Sequence, residues 1–391
     1  MAYSTRRPAG GKPGKPRPDF PLYPHAIGRW AKKVKTRTVY FTSWREDRKG
    51  VAALAQWLEQ KDELLAGRTP RAKRDELQVR DLLNQFLSSK REFVEAGELS
   101  ARSFAEYLDT CALIADTCGR TRAVADLGAE DFEHLRKAMA KHNSPVRLGN
   151  MVQRCRSVFN YALEADWIDR LPTFGPAFKK PRRKTVRLAR ASNGKRLLEA
   201  NEIRLLLDKA DVQLRAMILL GINCGFGNSD CGRLEARHLD LDHAWIDYAR
   251  PKTGIPRRCP LWPETVAALR TVLAGRPMAG LVFRTKYGHA WTRDASLTAD
   301  GNVKPPVDAL GGAFKKLLKA TALYRPRIGF YALRHTFQTI GSRTRDEVAV
   351  SAIMGHADES MAARYREGLD DDRLRAVAEH VRGWIFENTV Q

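Results

Sequence analysis

Arginine, histidine and tyrosine follow one another near the C-terminus in an order and at a spacing suited to phosphate chemistry. Arg334 lies within Tyr331-Ala-Leu-Arg-His-Thr-Phe337, and Met354-Gly-His356 comes next. Tyr365 follows that histidine by nine residues. A guanidinium presents a planar fork to two phosphate oxygens. A tyrosine hydroxyl can attack phosphorus and store the bond energy in a covalent ester. The set therefore predicts cleavage of a phosphodiester without a metal ion.

A lysine in a tight turn could complete this chemistry. Lys252 lies in Pro251-Lys-Thr-Gly254, a turn signal between two strand-like segments, 245–248 and 258–261. The oxygen that leaves phosphorus must be protonated, and a lysine on a mobile hairpin can supply the proton. We therefore expect a strand-turn-strand unit at the site.

Helices must position the other candidate residues. Apolar residues at helical spacing predict one helix over 331–340, which carries Arg334, and a second over 346–354, which ends just before His356. A third helix, over 360–365, would carry the tyrosine. These short helices would bring residues distant in sequence to one place.

The charge balance predicts a polyanionic partner. Lys plus Arg total 68 against 45 for Asp plus Glu, a net charge of +23. Such an excess favours nucleic acid first and an anionic membrane surface second. The longest apolar run, residues 216–222, is too short to span a membrane, and the N-terminus lacks the apolar stretch of a secretory signal. The six cysteines form no CxxC pair. We expect a cytoplasmic protein without membrane contact, metal or cofactor.

Basic residues concentrate in two stretches. Residues 1–50 carry 13 basic and 3 acidic side chains, and residues 179–196 carry nine basic and no acidic ones. In the first stretch, lysines alternate with aromatic and β-branched residues, which predicts a small basic sheet. The second follows several prolines and predicts a linker along a phosphate backbone, with a solvated tether as the alternative. The candidate DNA-binding residues are Lys32, Lys33, Lys179, Lys180, Arg182, Arg183 and Lys184.

The motifs near the C-terminus resemble those of the tyrosine recombinase (phage integrase) family. That family typically shows HxLRHTFAT, then LGH, then a tyrosine nine residues after that histidine. The resemblance implies that Tyr365 is the nucleophile, which forms a 3′-phosphotyrosyl link, and that Arg334 clamps the scissile phosphate. It also implies that His356 donates a hydrogen bond to a non-bridging oxygen. Lys252 matches the hairpin lysine of the family and would be the general acid.

Two positions depart from the family pattern. The family's first catalytic arginine lies in TGLRxxE, and the matching segment here is Cys224-Gly-Phe-Gly-Asn-Ser-Asp230, which places Gly227 at the arginine position. Three residues before Arg334, where the family has His or Lys, this chain has Tyr331, which could still bond the phosphate or the nucleophile. The substitute cations considered are Arg257, Arg258, Arg233 and Arg237, with the Arg257–Arg258 pair preferred. His335 also matches the family, and we expect it to be structural.

The resemblance implies a mainly α fold with small β elements (α+β). A helical core-binding domain and a catalytic domain of the tyrosine recombinase type would be joined by a basic linker. The predicted boundaries are 1–19, a disordered basic arm; 20–66, a small basic arm-type DNA-binding module; 76–172, a helical core DNA-binding domain; 173–196, the linker; and 197–391, the catalytic domain.

The preferred function is a site-specific DNA recombinase or integrase that acts as a homotetramer on two duplexes at the bacterial nucleoid. The alternatives are a catalytically impaired DNA-binding protein derived from an integrase and a nicking or topoisomerase-like enzyme. The C-terminal apolar stripe is expected to dock on a neighbouring protomer, as in the family, or else within its own chain. That stripe comprises Leu374, Val377, Val381, Trp384 and Ile385.

Overall fold

The computed structural model of the chain describes residues 12–35, 37–65, 77–192, 194–251, 253–356 and 368–387. Within these residues the backbone divides into two compact units. One comprises Met1–Leu82, Arg120–Leu127 and Phe159–Thr173, and the other comprises Leu83–Gly119, Gly128–Val158 and Phe174–Gln391. Helices dominate, and all paired strands are short and antiparallel. The predicted fold class, mainly α with small β elements, is confirmed.

The N-terminal region forms a three-stranded antiparallel sheet and one helix. The strands are β1 (Tyr23–Pro24), β2 (Arg29–Val34) and β3 (Arg37–Ser43), in that order across the sheet, and α1 (Val51–Leu65) follows. The predicted small sheet is therefore present. Its core consists of Phe20, Leu22, Trp30, Val34, Phe41, Trp44, Ala53 and Trp57.

The turn before α1 depends on Gly50. Its φ of +68° lies in the left-handed region, and a Cβ at this position would come within 2.6 Å of the Phe20 ring. Only glycine meets both conditions without strain. Asp47 then accepts a hydrogen bond from the N–H of Val51 at 2.9 Å, which caps the first turn of α1.

Four helices follow: α2 (Val79–Glu95), α3 (Ala101–Cys118), α4 (Ala129–Ala140) and α5 (Pro145–Glu164). Ser100 caps α3, since its hydroxyl accepts from the N–H of Ser103 at 3.1 Å. Apolar residues of all four helices are buried, with Phe86, Phe104 and Phe132 fully so.

A further helix lies inside the predicted linker. It is α6 (Arg183–Ala191), and none of its residues is buried. The chain that leads to it is anchored, because Arg156 lies 4.4 Å above the Phe174 ring and donates a hydrogen bond to the carbonyl oxygen of Phe178 at 2.9 Å. The basic segment 179–196 therefore starts from a fixed point and continues as an exposed helix.

The C-terminal region packs around α8. Its helices are α7 (Ala200–Lys209), α8 (Val212–Asn223), α9 (Asn228–Gly232), α10 (Pro263–Leu273), α11 (Ala309–Ala320), α12 (Tyr331–Gly341), α13 (Glu347–Met354) and α14 (Asp371–Phe386). Nine of the twelve residues of α8 are buried, which is typical of a helix surrounded by others.

Small strands lie beside these helices. β4 (Leu239–Asp240), β5 (Trp245–Asp247) and β6 (Arg258–Pro260) form one antiparallel sheet in chain order. β5 and β6 are the predicted strand-turn-strand unit, paired with Asp247 opposite Arg258. Two further pairs are β7 (Thr292–Arg293) with β10 (Val307–Asp308), and β8 (Ser296–Leu297) with β9 (Val303–Lys304).

The C-terminal helix packs into its own chain, so the expectation that its apolar stripe covers a neighbouring protomer is wrong. Leu374, Val377, Val381 and Ile385 belong to the same core as α8. Trp262 donates a hydrogen bond from its indole N–H to the carbonyl oxygen of Ala378 at 3.0 Å. An apolar stripe predicts burial but does not say against which surface. Among the described residues, no helix is both long and apolar enough to cross a membrane.

Candidate active site

Close contact between α8 and α12 fixes the helix that carries Arg334. A Cβ at Gly221 in α8 would lie 2.9 Å from Cδ1 of Leu333 in α12. The glycine therefore allows the two backbones to approach more closely than a larger residue would. Leu333 and Phe337 are fully buried on the inner face of α12. This packing carries Arg334 into the interior, where it is 1% exposed.

Arg334 joins three segments of the chain. Its Nη1 donates to the carbonyl oxygen of Gly225, in the loop after α8. Its Nη2 donates to the carbonyl oxygen of Met354 at 2.7 Å and lies 2.9 Å from Nε2 of His356. Met354 ends α13, where the helix dipole favours a cation. Three of the five N–H donors of this guanidinium therefore form hydrogen bonds within the described part of the chain.

The end of α13 aims His356 at Arg334. Gly355 has a φ of +63°, its N–H bonds to the carbonyl of Ala352 at 3.1 Å, and the N–H of His356 bonds to the carbonyl of Ser351 at 3.0 Å. These two bonds form a Schellman motif, in which glycine reverses the chain after a helix. The histidine therefore returns across the helix end to the guanidinium.

His356 is held in its neutral form. Arg334 has only N–H donors, so Nε2 of His356 must accept the bond and the ring proton must lie on Nδ1. Burial lowers the pKa of His356 from its ordinary value, and the charges of Arg334 and Arg250 lower it further. The Nδ1–H of the neutral ring remains a donor for an anion.

A second buried arginine lies on the strand-turn-strand unit. Nη2 of Arg257 donates to Oδ1 of Asp230 at 3.0 Å, and its Nε donates to the carbonyl oxygen of Tyr248 at 3.0 Å. Its guanidinium lies 4.4 Å above the Phe226 ring. The side chain is 1% exposed. Its Nη1 is buried and has no hydrogen-bond partner among the described residues.

Gly227 starts α9 and faces Tyr331. The N–H of Gly227 donates to Oδ2 of Asp230 at 2.7 Å. A Cβ at Gly227 would come within 3.2 Å of the Tyr331 ring. A side chain at position 227 would therefore make a tight contact with the tyrosine ring, which is 45% exposed. Tyr331 also packs edge-on against His335, with ring centroids 5.2 Å apart.

Of the two preferred substitute cations, Arg257 lies in the cluster and Arg258 does not. Arg258 lies outside the cluster around Arg334, because it pairs with Asp247 at 2.8 Å and with Asp371 at 3.0 Å and lies 4.2 Å above the Trp245 ring. The other two candidates are also paired elsewhere, Arg233 with Asp294 and Arg237 with Glu235.

Sequence reasoning missed two members of the cluster. One is Asp230, which pairs with Arg257. The family pattern TGLRxxE has an acidic residue three positions after its arginine, and Asp230 stands at that position here, so the sequence did carry a signal for it. Arg250 donates from Nη1 to the carbonyl oxygen of Gly355 at 3.2 Å. It precedes the predicted turn by one residue, and no sequence signal marked it.

Two of the predicted site residues, Tyr365 and Lys252, lie outside the described residues. Where the chain is described, no group of three or more His, Cys, Asp or Glu side chains could hold a metal ion. The cluster that remains contains three guanidinia, a neutral imidazole and one carboxylate. Such a set binds an anion with several oxygens, as a phosphodiester has.

The predicted DNA-binding residues occupy exposed positions. Lys179, Lys180, Arg182, Arg183 and Lys184 are all exposed on the segment that enters α6. In the sheet, Lys33 is exposed, whereas Lys32 is half-buried with its ammonium 5.4 Å from the Trp57 ring. The N-terminal sheet and the segment 179–184 each present basic side chains to solvent.

Comparison with known proteins identifies the fold. Residues 190–371 match the model of the phage integrase family. A fragment of the Tn1549 transposon integrase in complex with a circular intermediate DNA is 17% identical, with a TM-score of 0.55 over 78% of this chain and 99% of that one. A lambda integrase dimer bound to a COC′ core site is 13% identical, with a TM-score of 0.54 over 90% of this chain and 96% of that one. No curated protein sequence matches.

The fold and the Arg334–His356 pair agree with the resemblance to tyrosine recombinases seen in the sequence. A lambda integrase tetramer bound to a Holliday junction shares this fold at 13% identity, with a TM-score of 0.54 over 90% of this chain and 98% of that one. Residues 190–371 form a phage integrase domain by their match to the family model, and the resemblance is confirmed for this part of the chain.

Proposed function

We propose that this protein is a site-specific DNA recombinase that cleaves and rejoins DNA through a 3′-phosphotyrosyl intermediate. The observation that carries the proposal is the bond between Arg334 and His356, two residues 22 apart in sequence that meet within a phage integrase domain. Arg334 keeps two N–H donors beyond its described bonds, enough for the non-bridging oxygens of one phosphate.

The proposed reaction has two balanced steps. The Tyr365 hydroxyl attacks the scissile phosphorus and loses its proton, while the bond to the 5′-oxygen breaks and that oxygen takes up a proton. In the second step a 5′-hydroxyl of another strand attacks the phosphotyrosine and loses its proton, while the bond from phosphorus to the tyrosine oxygen breaks and that oxygen takes up a proton. We assign the proton donation in the first step to Lys252 and the phosphate contacts to Arg334 and His356.

The positions that depart from the family bear on the rate. Gly227 brings no cation to the phosphate, and Tyr331 replaces the usual basic residue. Because removal of one preorganised donor typically lowers the rate of cleavage by about 10² to 10³, each position is expected to slow the reaction. The alternative function, a catalytically impaired DNA-binding protein, is favoured by these two positions alone. It predicts tight DNA binding without any covalent product.

The proposed partners are double-stranded DNA and other copies of this chain. Basic residues 179–184 and the lysines of the N-terminal sheet supply phosphate contacts. A homotetramer on two duplexes would carry out both strand exchanges. Because the proposed substrate is DNA, we place the protein at the nucleoid in the bacterial cytoplasm.

Recovery of covalently bound DNA tests this proposal without knowledge of the target site. Wild type and Tyr365→Phe are expressed in cells, protein is purified under denaturing conditions, and the attached DNA is sequenced. We expect wild type to recover a discrete site joined through its 3′-phosphate and Tyr365→Phe to recover none. The matched control, Tyr324→Phe, changes an exposed tyrosine elsewhere in the chain and should behave as wild type. DNA binding without any covalent product would contradict the proposal and support the impaired alternative.

A further inference from the structure

We propose that Arg257 is a catalytic residue that supplies the phosphate-binding guanidinium that position 227 lacks. The inference rests on the proposed recombinase function and deepens it. In the family pattern an arginine and an acidic residue three positions later belong to one motif. Here the acidic residue, Asp230, is present, and its arginine partner comes instead from the strand-turn-strand unit.

Packing at Gly227 supports this relocation. The Tyr331 ring lies 3.2 Å from the position a Cβ would take there, so a side chain at position 227 would press against this ring. On the other side, the Gly227 N–H and the Arg257 guanidinium bind the two oxygens of the same carboxylate. The carboxylate thus ties the helix start to the relocated arginine.

Arg257 and Arg334 converge on one turn. A Cβ at Gly355 would come within 2.5 Å of Cδ of Arg257, and the residues on either side of Gly355 both accept from Arg334. Burial lowers the pKa of Arg334, and the charges of Arg250 and Arg257 lower it further. Both arginine side chains therefore contact the turn at Gly355.

The hydrogen bonds of Arg257 leave a donor group without a use in the fold. Its Nε and Nη2 have partners, whereas Nη1 is buried with none among the described residues. Buried polar groups are normally paired, because an unmade hydrogen bond costs free energy. The described cluster also contains three guanidinia and one carboxylate, that of Asp230, which pairs with Arg257. The unused donor and the excess positive charge both point to an anionic ligand.

Arg258, the adjacent residue, does not share this environment. Side chains alternate along a strand, so the two arginines face opposite sides, and Arg258 is paired with Asp247 and Asp371. It therefore provides a matched control of the same type and one position away.

The test uses the DNA site recovered as above, once with its natural scissile phosphate and once with a methylphosphonate, which lacks one negative charge. Arg257→Ala should slow covalent adduct formation by about 10²-fold or more on the phosphate. On the methylphosphonate its deficit relative to wild type should shrink to less than about tenfold, since less charge needs to be neutralised. Arg257→Lys should fall between, and Arg258→Ala should match wild type on both substrates.

A folding control is needed because Arg257→Ala leaves a buried carboxylate without its partner. The variant Asp230→Asn/Arg257→Ala removes both charges, and it should show the same loss and the same recovery. An equal loss on both substrates would mean that Arg257 only supports the fold and would overturn the inference. So would unimpaired cleavage by the Arg257 variants. Failure of wild type to form any adduct would instead overturn the proposed function, and this inference with it.

Discussion

Nη2 of Arg334 and Nε2 of His356 lie 2.9 Å apart, a contact that fixes the protonation state of the histidine. The guanidinium can only donate, so the imidazole accepts and stays neutral. Protonation of Nε2 would replace this bond with the repulsion of two cations. The proposed phosphate contact of Arg334 therefore depends on a histidine that loses this bond in acid.

The first prediction is the pH dependence of cleavage. Burial lowers the pKa of His356, so the ring stays neutral below the ordinary value of about 6.5. We expect adduct formation to hold through that value and to fall only at a lower pH, as His356 gains a proton. Single-turnover rates between pH 4.5 and 8 measure this.

His356→Gln is the control for this prediction, because its side chain can accept from Arg334 but does not titrate. It should remove the acid-side fall in rate while reducing the rate itself. An acid midpoint at or above the ordinary histidine value would contradict the prediction, and so would an unchanged midpoint in the variant.

The second prediction concerns the contact between Gly227 and Tyr331. Gly227 has a φ of −96°, which any residue adopts, so only the neighbouring ring opposes a side chain there. Gly227→Ala should destabilise the protein by about 1 kcal/mol, the low end for overpacking. The exposed ring can partly move away. In a Tyr331→Ala background the same change should cost almost nothing.

A double-mutant cycle by urea denaturation measures this coupling. Additive effects of the two substitutions would show that the ring does not restrict position 227. That result would remove one support for the relocated arginine and leave the pairing of Asp230 with Arg257 as the other.

The sequence predicted the Arg334–His356 pair because the motif spacing carries it. It also predicted the helix that carries Arg334, the helix that ends just before His356, and the β5–β6 unit. Each of these is a local pattern, in which neighbouring residues determine both the element and its buried face.

The choice between Arg257 and Arg258 could not be made from the sequence. Strand alternation shows that the two arginines face opposite sides, but which side meets Asp230 depends on how the strands pack on α9 and α13. The docking of α14 has the same origin, since an apolar stripe fits a partner or its own core equally well. The helix over 183–191 was missed because the prolines before it and its excess of like charge suggested a linker without regular structure.

The third prediction concerns the buried Asn223, which ends α8 just before the segment that contacts Arg334. Its side chain donates to the carbonyl oxygen of Pro260 at 2.9 Å and accepts from the N–H of Trp262 and the hydroxyl of Thr265, each at 2.9 Å. Asn223→Ala would leave three buried groups unpaired, and each costs about 1 to 3 kcal/mol. We expect the free energy of unfolding to drop by at least about 3 kcal/mol.

Urea denaturation followed by circular dichroism measures that loss. Asn201→Ala, at an exposed position, is the control and should stay within about 0.5 kcal/mol of wild type. A loss for Asn223→Ala as small as that of the control would mean that water replaces the missing side chain, contrary to the prediction.

The fourth prediction is the salt dependence of DNA binding through α6. Arg183 and Lys184 are exposed, and the basic segment 179–196 contains no acidic residue to pair with them. Each Lys–phosphate or Arg–phosphate contact releases counterions, so its loss should reduce the slope of log K against log salt by about 0.9. Arg183→Ala and Lys184→Ala should each show this change, with weaker binding to every duplex irrespective of sequence.

The control is Arg270→Ala, which removes an exposed arginine that already pairs with Asp242. Its slope of log K against log salt should equal that of wild type. Titrations by fluorescence anisotropy at several salt concentrations distinguish the outcomes. A slope unchanged in both α6 variants would mean that this helix does not contact the phosphate backbone, because loss of a true contact must appear in the number of counterions released.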